Sequence, residues 1–256
     1  MPASDWMFWG LVLLSASTSL LTAIAGAGGG AVLIAMLALV LPAPAIIPVH
    51  GVVQMGSNVG RTVLAWRHID WFTVAWFVPF GLLGTTVGSL LLVQFPAPLL
   101  QLCIALFLLY LTWGPKLPQL VLGKAGLACG GLITGFISLF VGASGPVVAA
   151  FIKSRFSERM TTVATFAATM SMQHAPKALV FGLAGFVFKD WLLLIAAMMA
   201  AGFIGTWVGL KWLKRISNHR FNQIFRWVIT LLALRLLWVA FDAFDAFIPA
   251  LSGITS

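Results

Sequence analysis

Long unbroken apolar runs organise this chain of 256 residues. Trp6 to Ala25, Ala45 to Arg61, Trp71 to Val93, Leu99 to Trp113, Gly126 to Val141, Thr161 to Phe186, Trp191 to Leu210 and Phe221 to Phe247 are each long enough, as helices, to cross or nearly cross about 30 Å of hydrocarbon. Two shorter arms, Ala31 to Leu41 and Val147 to Ile152, reach only part of the way at about 1.5 Å per residue. Each arm follows a glycine-rich break. The first is Gly26-Ala27-Gly28-Gly29-Gly30, and the second, 116 positions later, is Gly142-Ala143-Ser144-Gly145-Pro146. A helix in lipid must satisfy its own backbone polar groups, so such a break survives only inside protein or beside water. Each break with its flanking runs therefore predicts a membrane hairpin whose tip lies inside the protein, and paired breaks in two halves point to a transporter's binding site.

Composition agrees with the runs. With 61% hydrophobic and 8% charged residues and a mean hydropathy of +1.05, too little charged surface remains to cover a soluble globule. The net charge of +9 is carried by Lys and Arg in the short gaps between runs, which is positive-inside bias and no sign of a nucleic-acid partner. Gaps holding Arg61 and Arg67, Lys116 and Lys124, Lys153, Arg155 and Arg159, and Lys211, Lys214, Arg215 and Arg220 are basic; the others are neutral or, at the C-terminus with Asp242 and Asp245, acidic. If both hairpins return to the side they enter from, all four basic loops share the cytoplasmic face and both termini lie outside. Met1 to Trp6 has no Lys or Arg, so the first run is expected to stay in the mature protein.

The expected fold is an all-α polytopic integral membrane protein of two inverted repeats, 1–115 and 116–256, each a Gly-broken hairpin plus three transmembrane helices, together one transport domain. Trp71 matches Trp191, the series Gly81, Gly84, Gly88 matches Gly202, Gly205, Gly209, and Ser15 and Ser19 match Gly131 and Gly135. These small residues three or four apart lie on one helix face and read as close-packing positions.

Polar side chains inside apolar runs are costly and mark candidate sites. His50, Gln54, Ser57, Asn58 and Arg61 share one helical face after the first hairpin. Thr162, Thr165, Thr169, Gln173 and Lys177 form a similar face in the second half, with His174 beside it. At an offset of 119, Gln54 falls on Gln173 and Asn58 on Lys177. Amides and hydroxyls also glue helices together, but two matched faces beside two breaks favour a lined cavity. Lys177 is the sharpest candidate, too deep to reach the surface easily. Arg61 stands at a helix end, where loop charge explains it as well as a ligand role does.

No carboxylate falls mid-membrane, which argues against an acidic cation site or carboxylate proton relay. The arms that start at the breaks turn free N–H groups and positive dipole ends toward the protein's centre. The expected occupant is a small oxyanion held by Gly28, Gly29, Gly30, Gln54, Asn58, Ser144, Gly145, Gln173 and Lys177, with His50 and His174 as proton-coupling candidates. Cys103 and Cys129 have no metal-type partners nearby, so no disulfide framework, metal site or cofactor is indicated, and no catalytic arrangement suggests an enzyme.

Gly26-Ala-Gly-Gly-Gly30 with its apolar arm, the helix starting at Ala45, the turn into Ile69-Asp70-Trp71 and the Gly81/Gly84/Gly88 helix resemble the sulfite exporter TauE/SafE family of permeases. Gly142-Ala-Ser-Gly-Pro146, Phe188-Lys-Asp-Trp191 and Gly202/Gly205/Gly209 echo them in the second half, so the likeness spans nearly the whole chain. Ala35, where that family tends to have proline, is one departure. The resemblance implies a bacterial inner-membrane exporter of sulfite or an organosulfur anion. A proton-coupled transporter of a small carboxylate and an anion channel stay open, as does the oligomeric state, a homodimer included.

Overall fold

The computed structural model describes residues 5–25, 28–92, 97–115, 123–142, 144–212, 226–227 and 229–242. Among these residues the secondary structure is entirely helical: α1 (Asp5–Ala25), α2 (Gly29–Val40), α3 (Ala43–Leu64), α4 (Trp71–Leu92), α5 (Ala97–Trp113), α6 (Lys124–Val141), α7 (Gly145–Lys153), α8 (Arg159–Leu183) and α9 (Leu192–Trp212), with single 3₁₀ turns at Trp66–His68 and Phe188–Trp191. Residues 229–242 are also helical. Gly26, Ala27 and Ala143 of the breaks, Lys116, the loop with Lys214, Arg215 and Arg220, and Asp245 lie outside the described residues.

The apolar runs become these helices with ends displaced by a few residues. Asp5–Ala25, Trp71–Leu91, Lys124–Val141 and Phe188–Trp212 are long and apolar enough to cross a membrane, and Gly29–Val40 and Pro98–Trp113 are apolar but shorter. The chain is a polytopic helical membrane protein. Helices α3 and α8 have the length to cross but carry the polar faces, and they pack against each other at the centre of the bundle. Their polar faces are buried among the other helices, while apolar residues such as Val63, Leu179 and Leu183 stay exposed on the outside.

The main packing contacts pair α1 with α9 and α4 with α6, then α3 with α9 and α4 with α8, and each short arm with its neighbours, α2 with α1 and α3, α7 with α6 and α8. Exchanging α1 with α6, α2 with α7, α3 with α8 and α4 with α9 leaves this set unchanged. Glycines permit the close approaches. A Cβ on Gly205 would strike the Ala16 carbonyl of α1, and Cβ atoms on Gly131 and Gly135 would strike the Phe77 and Gly81 carbonyls of α4. On the α1 side Ser15 Oγ donates to the Met198 carbonyl of α9 at 2.7 Å. Small residues therefore set the helix separation here.

Polar groups close the ends. Asp70 Oδ1 accepts from the Thr73 N–H at 2.7 Å and caps α4, while its own N–H donates to Thr165 Oγ1 at 2.9 Å. Asp70 also faces Arg155 at 4.0 Å, which joins the basic loop after α3 to the one after α7. Lys153 Nζ and Arg159 Nη2 donate to the carbonyls of Ala25 and Ile24, placing cations at the C-terminal end of α1.

Candidate functional site

Two helix starts converge at the centre. Helix α2 begins after Gly28, whose φ of 109° is a conformation that favours glycine, and α6 ends at Gly142, with φ 68°. Neither Gly28 nor Ser144 caps its helix with a side chain; α2 leaves the N–H groups of Gly29 and Gly30 without an intrahelical partner, and α7 leaves that of Gly145, because Pro146 has none and Val147 bonds to the Ser144 carbonyl at 3.0 Å. Between them lies a cavity of about 20 Å³, lined by Gly28, Gly30, Ala31, Gly145 and Pro146 from the helix starts, His50, Gln54 and Asn58 from α3, and His174 from α8. That volume holds about one water molecule.

The remaining wall is Thr22, Phe166 and Met170. The sequence carries no mark for these three. Thr22 resembles any hydroxyl bonded back to its own helix, here to the Thr18 carbonyl at 2.8 Å, and Phe166 and Met170 are ordinary apolar residues. A larger cavity adjoins it. A 260 Å³ cavity shares Gly28, Ala31 and Pro146 with it and extends to Lys153. A separate cavity of 560 Å³ at the start of α3 is lined by Pro42, Ala45, Gly185, Phe186 and Trp191.

Of the residues singled out from sequence, Gly28, Gly30, Gln54, Asn58, Gly145, His50 and His174 line the small cavity. Gly29 instead packs on α1, where a Cβ would collide with the Thr18 carbonyl. Ser144, Gln173 and Lys177 stand behind the wall in hydrogen bonds: Ser144 Oγ donates to Gln173 Oε1 at 3.2 Å, Gln173 Nε2 donates to Thr134 Oγ1 at 2.8 Å, and Lys177 Nζ donates to the Gly142 carbonyl at 3.1 Å. These bonds pin the second break to α6 and α8.

His50 Nε2 is 3.0 Å from the Gly30 carbonyl, which ties the first break to α3. The His50 and His174 rings meet edge to face with centroids 5.9 Å apart. The Nδ1 atom of each is buried without a hydrogen-bond partner among the described residues. Arg61 is not a solvated helix-end residue, because α3 continues to Leu64 and the side chain is fully buried. Its Nη1 donates to Asn58 Oδ1 at 3.1 Å, and Asn58 Nδ2 donates to the Gln54 carbonyl at 2.8 Å. Lys177 and Arg61 thus bracket the α3 face with positive charge.

Apolar spans around two buried polar helices, with two broken helices meeting at a small polar cavity, define a multi-pass membrane transporter. The family model described as Sulfite exporter TauE/SafE matches residues 11–236, and the chain belongs to that family. No curated protein and no solved structure matches it.

Proposed function

We propose that the protein exports a small sulfur oxyanion, sulfite or an organosulfonate, across a bacterial inner membrane by alternating access about the cavity between the two breaks. The observation that carries this reading is the convergence of the α2 and α7 starts on one cavity, with buried Lys177 behind it. Free backbone N–H groups and positive helix ends favour an anion. The exchange relation among the helix contacts supports two repeats, inverted as the loop charges require, which rock against each other. A cavity with room for about one water is too small for an oxyanion, so loading requires the α2 and α7 starts to separate.

An inside-negative potential drives a monovalent anion outward with about 2.3 kcal/mol per 100 mV, so export requires no coupled ion in principle. The contact of His50 with His174 favours a second reading, in which a proton moves with the anion. The test is sulfite and sulfonate flux in liposomes at potentials set by a potassium gradient. Saturable flux that follows the potential supports the proposal. Flux that follows an imposed pH gradient, and loses that dependence in His174→Gln, supports the second reading. Flux that never saturates indicates a channel and overturns alternating access.

A further inference from the structure

Arg61 is fully buried, and the ion pair found among the described residues, Arg155 with Asp70, does not involve it. A buried guanidinium without an anion is costly, so its surroundings must answer its five N–H donors. They answer one side only. Nη1 is held by Asn58 Oδ1, while Nε and Nη2 have no acceptor among the described residues.

Which nitrogens are left matters. Nε and Nη2 make one edge of the guanidinium plane, with N–H bonds running side by side. That edge matches two oxygens of one planar or tetrahedral oxyanion, whereas a lysine amine offers only a point charge. Asn58, which lines the central cavity, holds the Nη1 corner and so links the guanidinium to the cavity wall, although Arg61 itself is not among the lining residues. Arg61 lies one helical turn beyond Asn58, on the α3 face that carries Gln54 and His50. Thr62 Oγ1 donates to the Asn58 carbonyl at 2.8 Å and Asn58 Nδ2 to the Gln54 carbonyl, so this turn of α3 is held by its own side chains.

We infer that the Nε/Nη2 edge of Arg61, one helical turn beyond the cavity residue Asn58, is an anion-binding station that takes two oxygens of a small sulfonate, sulfite or carboxylate once the helices around it separate. This rests on the reading of the protein as an oxyanion transporter and assigns the bidentate grip to Arg61. Lys177, tied to the Gly142 carbonyl, then contributes its charge and holds the second break in place.

The test is thermal stability of the purified full chain in detergent, titrated separately with sulfite, methanesulfonate and acetate, for the wild type, Arg61→Met and Arg61→Lys. An anion that binds the folded state raises the melting temperature. The wild type is expected to be stabilised. Arg61→Met, which removes an uncompensated buried charge, is expected to melt at or above the wild type without anion and to lose the anion-dependent rise. Arg61→Lys keeps the charge but not the fork and is expected to bind at least tenfold more weakly, as the loss of one charged hydrogen bond predicts.

A wild-type anion response retained in Arg61→Met overturns the station. Should Arg61→Met fail to fold, Arg61→Lys decides, and affinity equal to the wild type overturns it. A response to acetate alone that Arg61→Met loses keeps the station and removes the sulfur-anion reading. No response of the wild type to any of the three overturns both.

Discussion

Lys177 Nζ, on α8, donates at 3.1 Å to the carbonyl of Gly142, 35 residues earlier, at the point where the second broken helix stops. A helix end leaves carbonyls without intrahelical partners, and here a buried cation answers one of them. The same side chain lies one helical turn beyond His174, which lines the central cavity.

Replacing Lys177 therefore removes a charge and a structural tie together. Lys177→Met is expected to reduce saturable anion flux in liposomes at least tenfold, while an unpaired Gly142 carbonyl costs about 1–3 kcal/mol, partly offset by removal of a buried charge. Flux equal to the wild type, in protein shown to be folded, would remove Lys177 from the site.

The glycines separate into two kinds. At Gly30 a Cβ would run into Gln54 Nε2 and lie 3.3 Å from its Cδ, a side chain that can turn away at the expense of the cavity. At Gly135 it would run into the backbone carbonyl of Gly81, which cannot. Gly30→Ala is expected to fold and lose flux, whereas Gly135→Ala is expected to lose stability by about 1–3 kcal/mol through overpacking. Melting curves and flux on the two variants check the contrast.

Gln54 on α3 and Gln173 on α8 differ in surroundings. Gln54 faces the cavity. Gln173 links Ser144 to Thr134. Gln54→Leu is expected to raise the KM for anion flux with little change in melting. Gln173→Leu strands the buried Ser144 hydroxyl, while Thr134 keeps its bond to the Gly130 carbonyl, and is expected to cost about 1–3 kcal/mol of stability. Equal melting losses in both would refute the distinction.

Glu158 caps α8, and its carboxylate accepts from the N–H groups of Thr161 and Met160. Hydrogen bonds from Thr161, with Met160 adding to them, hold its pKa below the ordinary carboxylate value. A lowered folded pKa means the stabilisation is present above the unfolded pKa and is lost as pH falls through the folded one. Glu158→Ala is expected to cost about 0.5–1 kcal/mol at pH 7, the low end for a cap because the residue is exposed. The difference from the wild type should shrink as pH falls below the ordinary carboxylate range, and one that grows there would contradict the cap.

Hydropathy by itself determined where helices lie, because lipid admits only backbone that satisfies itself locally and each span must be apolar over a fixed length. Trp6 to Ala25 became Asp5–Ala25, and Gly126 to Val141 became Lys124–Val141. Helical period likewise put His50, Gln54 and Asn58 on one face, and all three line the cavity. Tertiary structure decided which side chain meets which partner across more than a hundred residues, where no local pattern operates. It buried Arg61, read from sequence as a helix-end charge, by carrying α3 past it to Leu64. It also turned adjacent Gly29 and Gly30 to different neighbours, one to α1 and one to Gln54. Successive residues of a helix point about 100° apart, so only the placement of surrounding helices could separate a packing glycine from one beside the cavity.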